Sequence, residues 1–253
     1  MYNLIKSEWY KLRKDRSFRT LAMIMVALSI FWPLYWHFDN RLDGDPLFTG
    51  LESFQRALSS NTLIIKVSLC ILAGFFISSE YSTGVMKNMA TSGNSRMKIF
   101  TAKLCVYSWG VILLSLLFPV FNMVISTILS GFGAIDNQSA ALLVLRSMLF
   151  TILFSASFAS VAALFAITFT TSGKTISTSI IFFLSIDVIF TSIGEYLPIF
   201  ETAYEYSVFT LVGDIGSTSP SNTELWRLTV VPILTFFGCG LAGCWVYKRK
   251  EIK

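Results

Sequence analysis

Six long apolar runs alternate with polar connections along the chain: Thr20 to Phe38, Ser60 to Ser79, Leu104 to Ser130, Ser147 to Ser172, Thr175 to Pro198 and Leu228 to Tyr247. Each is close to the ~20 apolar residues that carry a helix across about 30 Å of hydrocarbon. The pattern predicts an all-α polytopic membrane protein, a single transmembrane domain over residues 1–253 with six spans and no second globular domain. Composition agrees: 54% of residues are hydrophobic and 14% charged, against roughly 25% charged in a soluble domain. Residues 1–19 are basic, and no small-x-small cleavage pattern follows the first run, so that run is expected to be retained as a span rather than removed as a leader.

Charge decides the orientation. With both termini on the cytoplasmic side, the inner segments carry Lys6, Lys11, Arg13, Lys14, Arg16 and Arg19, then Lys87, Arg96, Lys98 and Lys103, then Lys174, and finally Lys248, Arg249, Lys250 and Lys253. The outer connections carry only Arg41, Arg56, Arg146 and Arg227, among the acids Asp39, Asp43, Asp45, Glu52, Asp136, Glu201, Glu205, Asp214 and Glu224. Cytoplasmic loops hold the excess of Lys and Arg, so both termini are expected inside. The same asymmetry assigns the net charge of +5 to lipid headgroups and cytoplasmic partners rather than to nucleic acid.

Sites for chemistry are few. The stretch "SGKT", residues 172–175, looks like the tail of a phosphate-binding loop, but the first glycine of G-x-x-x-x-G-K-[ST] falls on Thr168 and both flanks are spans. It is read instead as a cytoplasmic hairpin in which Gly173 breaks the helix. Cys70, Cys105, Cys239 and Cys244 lie in apolar runs, where a thiol behaves as a small hydrophobe. The lone His37, beside Trp36 and Phe38, is read as an interfacial residue; neither a catalytic constellation nor a metal site is expected.

Two inner segments carry more information. In "MYNLIKSEWYKLRKDRSF", Tyr2, Ile5, Trp9 and Leu12 recur every three or four residues among cations, the pattern of an amphipathic helix lying in the headgroup plane; a solvated juxtamembrane tail is the alternative. The second connection, residues 78–104, is too polar to span and too long for a turn, and it holds a short helix-like piece, Val85 to Ala90, between Gly84 and Gly93. A short helix held by the inner ends of two spans is a lever on both.

The run "EYSTGVMKNMATSGNSRMKIFTAKL", with Glu80, Tyr81, Gly84, Lys87, Asn88, Gly93, Arg96 and Lys103, resembles the membrane permease subunits of bacterial ABC type-2 transporters, as does "LIKSEWYKLRKDRSF" before the first span. The resemblance implies a coupling helix between the second and third spans, which docks on a separate cytoplasmic ATP-binding subunit where ATP and Mg are held. It also implies a surface-lying N-terminal helix, a second permease copy or paralogue, and short outer or re-entrant helices between the fifth and sixth spans; Pro198 to Arg227 fits these or a plain loop. The expected function is ATP-driven export from a bacterial cell, through the plasma membrane, of an amphipathic or antimicrobial-type peptide or a lipid-like substrate.

Within the spans lie Lys66, Asp187 and Glu195, each costly if it faced lipid. Depth permits a Lys66 to Asp187 pair; snorkelling of Lys66 and interfacial placement of Glu195 are the other readings. These three residues also support the alternative of an ion- or proton-coupled transporter or channel. Small-residue faces at Ala156, Ser160 and Ala163 or Leu164, and at Gly240 and Cys244, suit internal packing or a dimer seam.

Overall fold

A computed structural model describes residues 1–86, 89, 95–134, 139–194, 196–218 and 220–250. It contains six helices long and apolar enough to cross a membrane, and no strand among the described residues. In chain order the elements are α1 (Tyr2–Lys14), α2 (Arg16–Asp43), α3 (Gly50–Leu72), a π turn (Ala73–Ser78) and α4 (Ser79–Ser82). Then come α5 (Arg96–Ser130), α6 (Ala140–Thr168), α7 (Ser172–Gly194), α8 (Pro198–Glu205), α9 (Val208–Leu211), a 3-10 turn (Val212–Gly216) and α10 (Asn222–Arg249). The spanning helices are α2, α3 with its continuation through Ser82, α5, α6, α7 and α10.

Most helices run past the apolar cores that predicted them, but α6 stops at Thr168 rather than Ser172 and α7 at Gly194 rather than Pro198. The second begins at Gly50 rather than near residue 60, because Thr49 and Glu52 form a capping box; Arg56, expected in a loop, lies within it over the Phe48 ring at 3.9 Å. Ser221 and Glu224 start α10 in the same way, placing Arg227 inside a helix, and Arg146 lies in α6.

At the centre α3 and α6 are the most buried spans, while α2, α7 and α10 lie at the periphery. Helix α5 packs against α1, α2, α3, α6 and α10. Pro119 interrupts its hydrogen-bond ladder and leaves the Ser115 carbonyl without its usual donor. Asn61 of α3 supplies one, Nδ2 to O at 2.8 Å, in a buried setting, which is how a proline is accommodated in a spanning helix.

The small-residue faces serve internal packing. Gly243 of α10 lies so close to Phe100 that a Cβ there would sit 2.6 Å from the ring, and Gly240 faces Leu104. Ser160 and Ala163 of α6 are buried in the helix that packs against α10; Ser157, three residues before Ser160, donates to the Pro232 carbonyl.

The turn between α6 and α7 is Phe169 to Thr171, not "SGKT". Ser172 to Thr175 form the first turn of α7, closed by Thr175 N–H to the Thr171 carbonyl at 3.0 Å, so Gly173 does not break the helix. Ile176 and the Ser172 carbonyl pack closely on Gly74, where a Cβ would meet them at 2.4 Å and 3.1 Å.

Candidate functional site

An ion cluster joins α1 to α4 and α5 at the end of the bundle that carries both termini. Helix α1 presents Ile5, Glu8 and Leu12 to the protein; Glu8 and Leu12 are buried and Ile5 half-buried. Glu8 Oε2 lies 2.6 Å from Lys103 Nζ of α5, and its Oε1 lies 2.7 Å from Lys11 Nζ. Glu80 of α4 meets the same two cations, at 2.7 Å from Lys103 and 3.1 Å from Lys11.

Two acids and two bases make the cluster neutral, the condition under which charges tolerate burial. Glu8 and Lys103 have no exposed side-chain surface. Burial opposes ionisation of Glu8, but Lys103 and Lys11 outweigh it and hold the carboxyl below its ordinary range. Burial likewise opposes the charge on Lys11, and Glu8 and Glu80 outweigh it and raise that ammonium.

The π turn places Glu80. A π turn inserts an extra residue into the helical register. Ser78, at its end, donates to the Ala166 carbonyl at 2.9 Å and bonds the Thr175 hydroxyl at 2.7 Å. That locks the end of α3 to the α6–α7 turn. Tyr81 then stacks edge-on against Tyr247 of α10, at 6.4 Å, with Lys250 Nζ 5.0 Å above its ring. Gly84, at φ +72°, ends the helix in the left-handed conformation.

Past Gly84 the backbone is helical at Val85, Met86 and Met89. Met86 is buried under the Tyr247 hydroxyl at 3.5 Å, and Met89 sulfur receives Lys11 at 3.7 Å. Lys87, Asn88 and Gly93 lie outside the described residues. Arg96 donates to the carbonyls of Lys248 and Lys250 at the end of α10, at 3.4 Å and 2.6 Å.

Deeper in the bundle, Lys66 Nζ, near the middle of the span Gly50–Ser82, meets Asp187 Oδ2 of α7 at 3.0 Å. The Tyr204 hydroxyl of α8 donates to Asp187 Oδ1 at 2.8 Å. Glu195 lies outside the described residues. Between α7 and α10 the chain folds as short helices rather than a plain loop, with Val208, Leu211 and Ile215 buried against the bundle.

The model of the ABC-2 family transporter proteins matches residues 4–188. The chain belongs to this family. No curated protein matches it. As an ABC-2 family protein it is a multi-pass membrane transport component, and the matched stretch runs from α1 into α7.

Of the residues expected on the permease's interfacial face, only Tyr2 and Trp9 remain exposed; Leu12 turns into the bundle and Ile5 follows it. The cause is Glu8, which must face Lys103 and so sets the rotation of the helix. Glu8 was not singled out from the sequence, and Lys103 was counted only among the inner cations and the motif. The available signal was an acid inside the apolar stripe Ile5, Glu8, Leu12.

Proposed function

We propose that this chain is the membrane half of an ATP-driven exporter, receiving the motion of a cytoplasmic ATP-binding subunit through residues 80–98. The observation that carries the reading is the way this segment is tied down. Glu80 connects it to α1 and α5 through Lys11 and Lys103, Tyr81 and Met86 to α10 through Tyr247, and Arg96 to the end of α10. A displacement at its surface therefore reaches several elements together, which transmission requires, because a partner shifts an equilibrium only through contacts that differ between its states.

In this reading the cluster end faces the cytoplasm, as the charge count requires. Lys87, Asn88 and Gly93 belong to the stretch of sequence assigned in this reading to contact with the docking subunit. A second permease copy or paralogue completes the path, and the membrane is a bacterial plasma membrane. An amphipathic or antimicrobial-type peptide, or a lipid-like molecule, is the favoured cargo by family analogy.

The test is to extract the C-terminally tagged chain from its native host in mild detergent. A stoichiometric soluble-sized subunit with ATPase activity is expected to co-purify. A chain that purifies alone, ATPase-silent, and still transports after reconstitution overturns the reading in favour of a coupled transporter using Lys66 and Asp187.

A further inference from the structure

Helix α1 has a second face that the ion cluster leaves unused. Lys6, Trp9, Tyr10, Arg13 and Lys14 stand on its outer side, all exposed. Asp15 then breaks the helix in extended geometry and caps α2 through the Phe18 amide at 2.9 Å. At this elbow the Arg19 guanidinium donates to the Lys14 carbonyl at the end of α1, at 3.1 Å. The six residues Lys6, Trp9, Tyr10, Arg13, Lys14 and Arg19 line a half-open cavity of about 400 Å³.

Its electrostatics are one-sided. Four of the six lining residues are cations and none is an acid. The nearby carboxylates are committed elsewhere, Glu8 to Lys103 and Lys11 on the opposite face and Asp15 to the α2 cap. Among the described residues Lys6, Arg13 and Lys14 have no ion-pair partner. Directly below Arg19, at successive helical steps of four, Met23, Ala27 and Phe31 of α2 are exposed, Met23 by 64% and Phe31 by 63%. A cationic basin with two amphipathic rings at its wall therefore opens onto an apolar stripe of a spanning helix. Phosphate at the basin and a hydrocarbon chain along the stripe satisfy both at once, whereas a soluble anion satisfies only the first.

We propose that this elbow binds one anionic phospholipid, with its phosphate among Lys6, Arg13, Lys14 and Arg19, its glycerol region against Trp9 and Tyr10, and an acyl chain along Met23, Ala27 and Phe31. The inference rests on α1 lying at the membrane surface and on neither ATP coupling nor export. It gives α1 two jobs on two faces: Glu8 fixes the helix to α5, and the basic face fixes it to the leaflet.

The full chain, reconstituted in nanodiscs of phosphatidylcholine with a minor fraction of phosphatidylglycerol, is released into detergent and its retained lipids are counted by native mass spectrometry. Wild type is expected to keep one phosphatidylglycerol that Lys6→Gln/Arg13→Gln loses, with apparent affinity falling on the order of tenfold or more. Arg19→Lys keeps the charge and is expected to retain the lipid. Equal retention by wild type and the double variant, or equal retention of phosphatidylcholine, overturns the site. Competition by millimolar glycerol 3-phosphate as effective as by phosphatidylglycerol overturns the lipid in favour of a soluble phosphate ester. Quenching of a fluorophore on the Met1 amine by brominated phosphatidylcholine reads the placement of α1 separately; its absence overturns the surface placement, and its presence with no lipid difference overturns the site alone.

Discussion

Glu8 and Lys103 are 95 positions apart in the chain and 2.6 Å apart in the fold. Removing one partner leaves the other charge buried and uncompensated, a loss of about 3–5 kcal/mol. Lys103→Met and Glu8→Gln are each expected to lower thermal stability in detergent sharply. The double variant, neutral again because Lys11 and Glu80 remain paired, is expected to lose less than the sum, a non-additivity read from a double-mutant cycle. The pH dependence follows from the direction of each shift. Glu8 is depressed, so its contribution is present above the unfolded carboxylate value, ~4.3, and is lost as pH falls through the still lower folded value. Lys11 is raised, so its contribution is complete below ~10.4 and is lost as pH rises through the higher folded value. The stability gap between wild type and Glu8→Gln is expected to be constant between roughly pH 5 and 10 and to close below about pH 4. A gap that persists in acid would mean that Glu8 acts through packing alone.

Between elements, contact distance at glycines sets which helices meet. Gly74 in the π turn lets the start of α7 close on α3, and α7 in turn holds the Thr175 hydroxyl against Ser78. Gly74→Val is expected to wedge this junction apart at a cost of about 1–3 kcal/mol, seen as a lower melting temperature and faster hydrogen exchange in the α6–α7 turn. Gly173 is the control: a Cβ there meets nothing within 4 Å and the backbone is helical, so Gly173→Ala is expected to be neutral or slightly stabilising. A clear loss of stability in Gly173→Ala would restore the hairpin in which that glycine breaks the helix. The elbow at Asp15 works at the same scale. One extended residue lets α1 leave the direction of α2 and lie across α5, close enough that a Cβ at Gly110 would come within 3.1 Å of Leu12.

For the whole molecule, the coupling role proposed for residues 80–98 separates variants expected to disable the lever from variants expected to disable its contact. Arg96 is spent on the carbonyls ending α10, so Arg96→Glu is expected to destabilise the protein and lose transport together. Lys87→Glu is expected to uncouple ATP hydrolysis by the proposed partner subunit from cargo movement, measured as ATPase without transport in reconstituted vesicles. Transport at the wild-type level in Lys87→Glu would remove that residue from the contact. The Lys66, Asp187 and Tyr204 group ties α3 to α7 and α8 near the middle of the span Gly50–Ser82, away from the ion cluster.

Six spans and their order could be read from hydropathy because a bilayer obliges each crossing segment to satisfy its own backbone, so that every span is a long, locally encoded apolar helix. The basic and acidic connections were legible for the same reason, being local in the chain. Helix ends were not, since Thr49, Ser221 and Asp15 extend or break helices through caps that hydropathy does not weigh. Nor was the rotation of α1. Its pattern allowed Tyr2, Ile5, Trp9 and Leu12 to share one face, and only the position of Lys103 on α5 turned Glu8 inward, leaving Tyr2 and Trp9 outside. The pairings of Glu8 with Lys103 and of Lys66 with Asp187 depend on how separate helices are rotated and set in depth against one another. That relation belongs to the packed bundle and has no local signature in the chain.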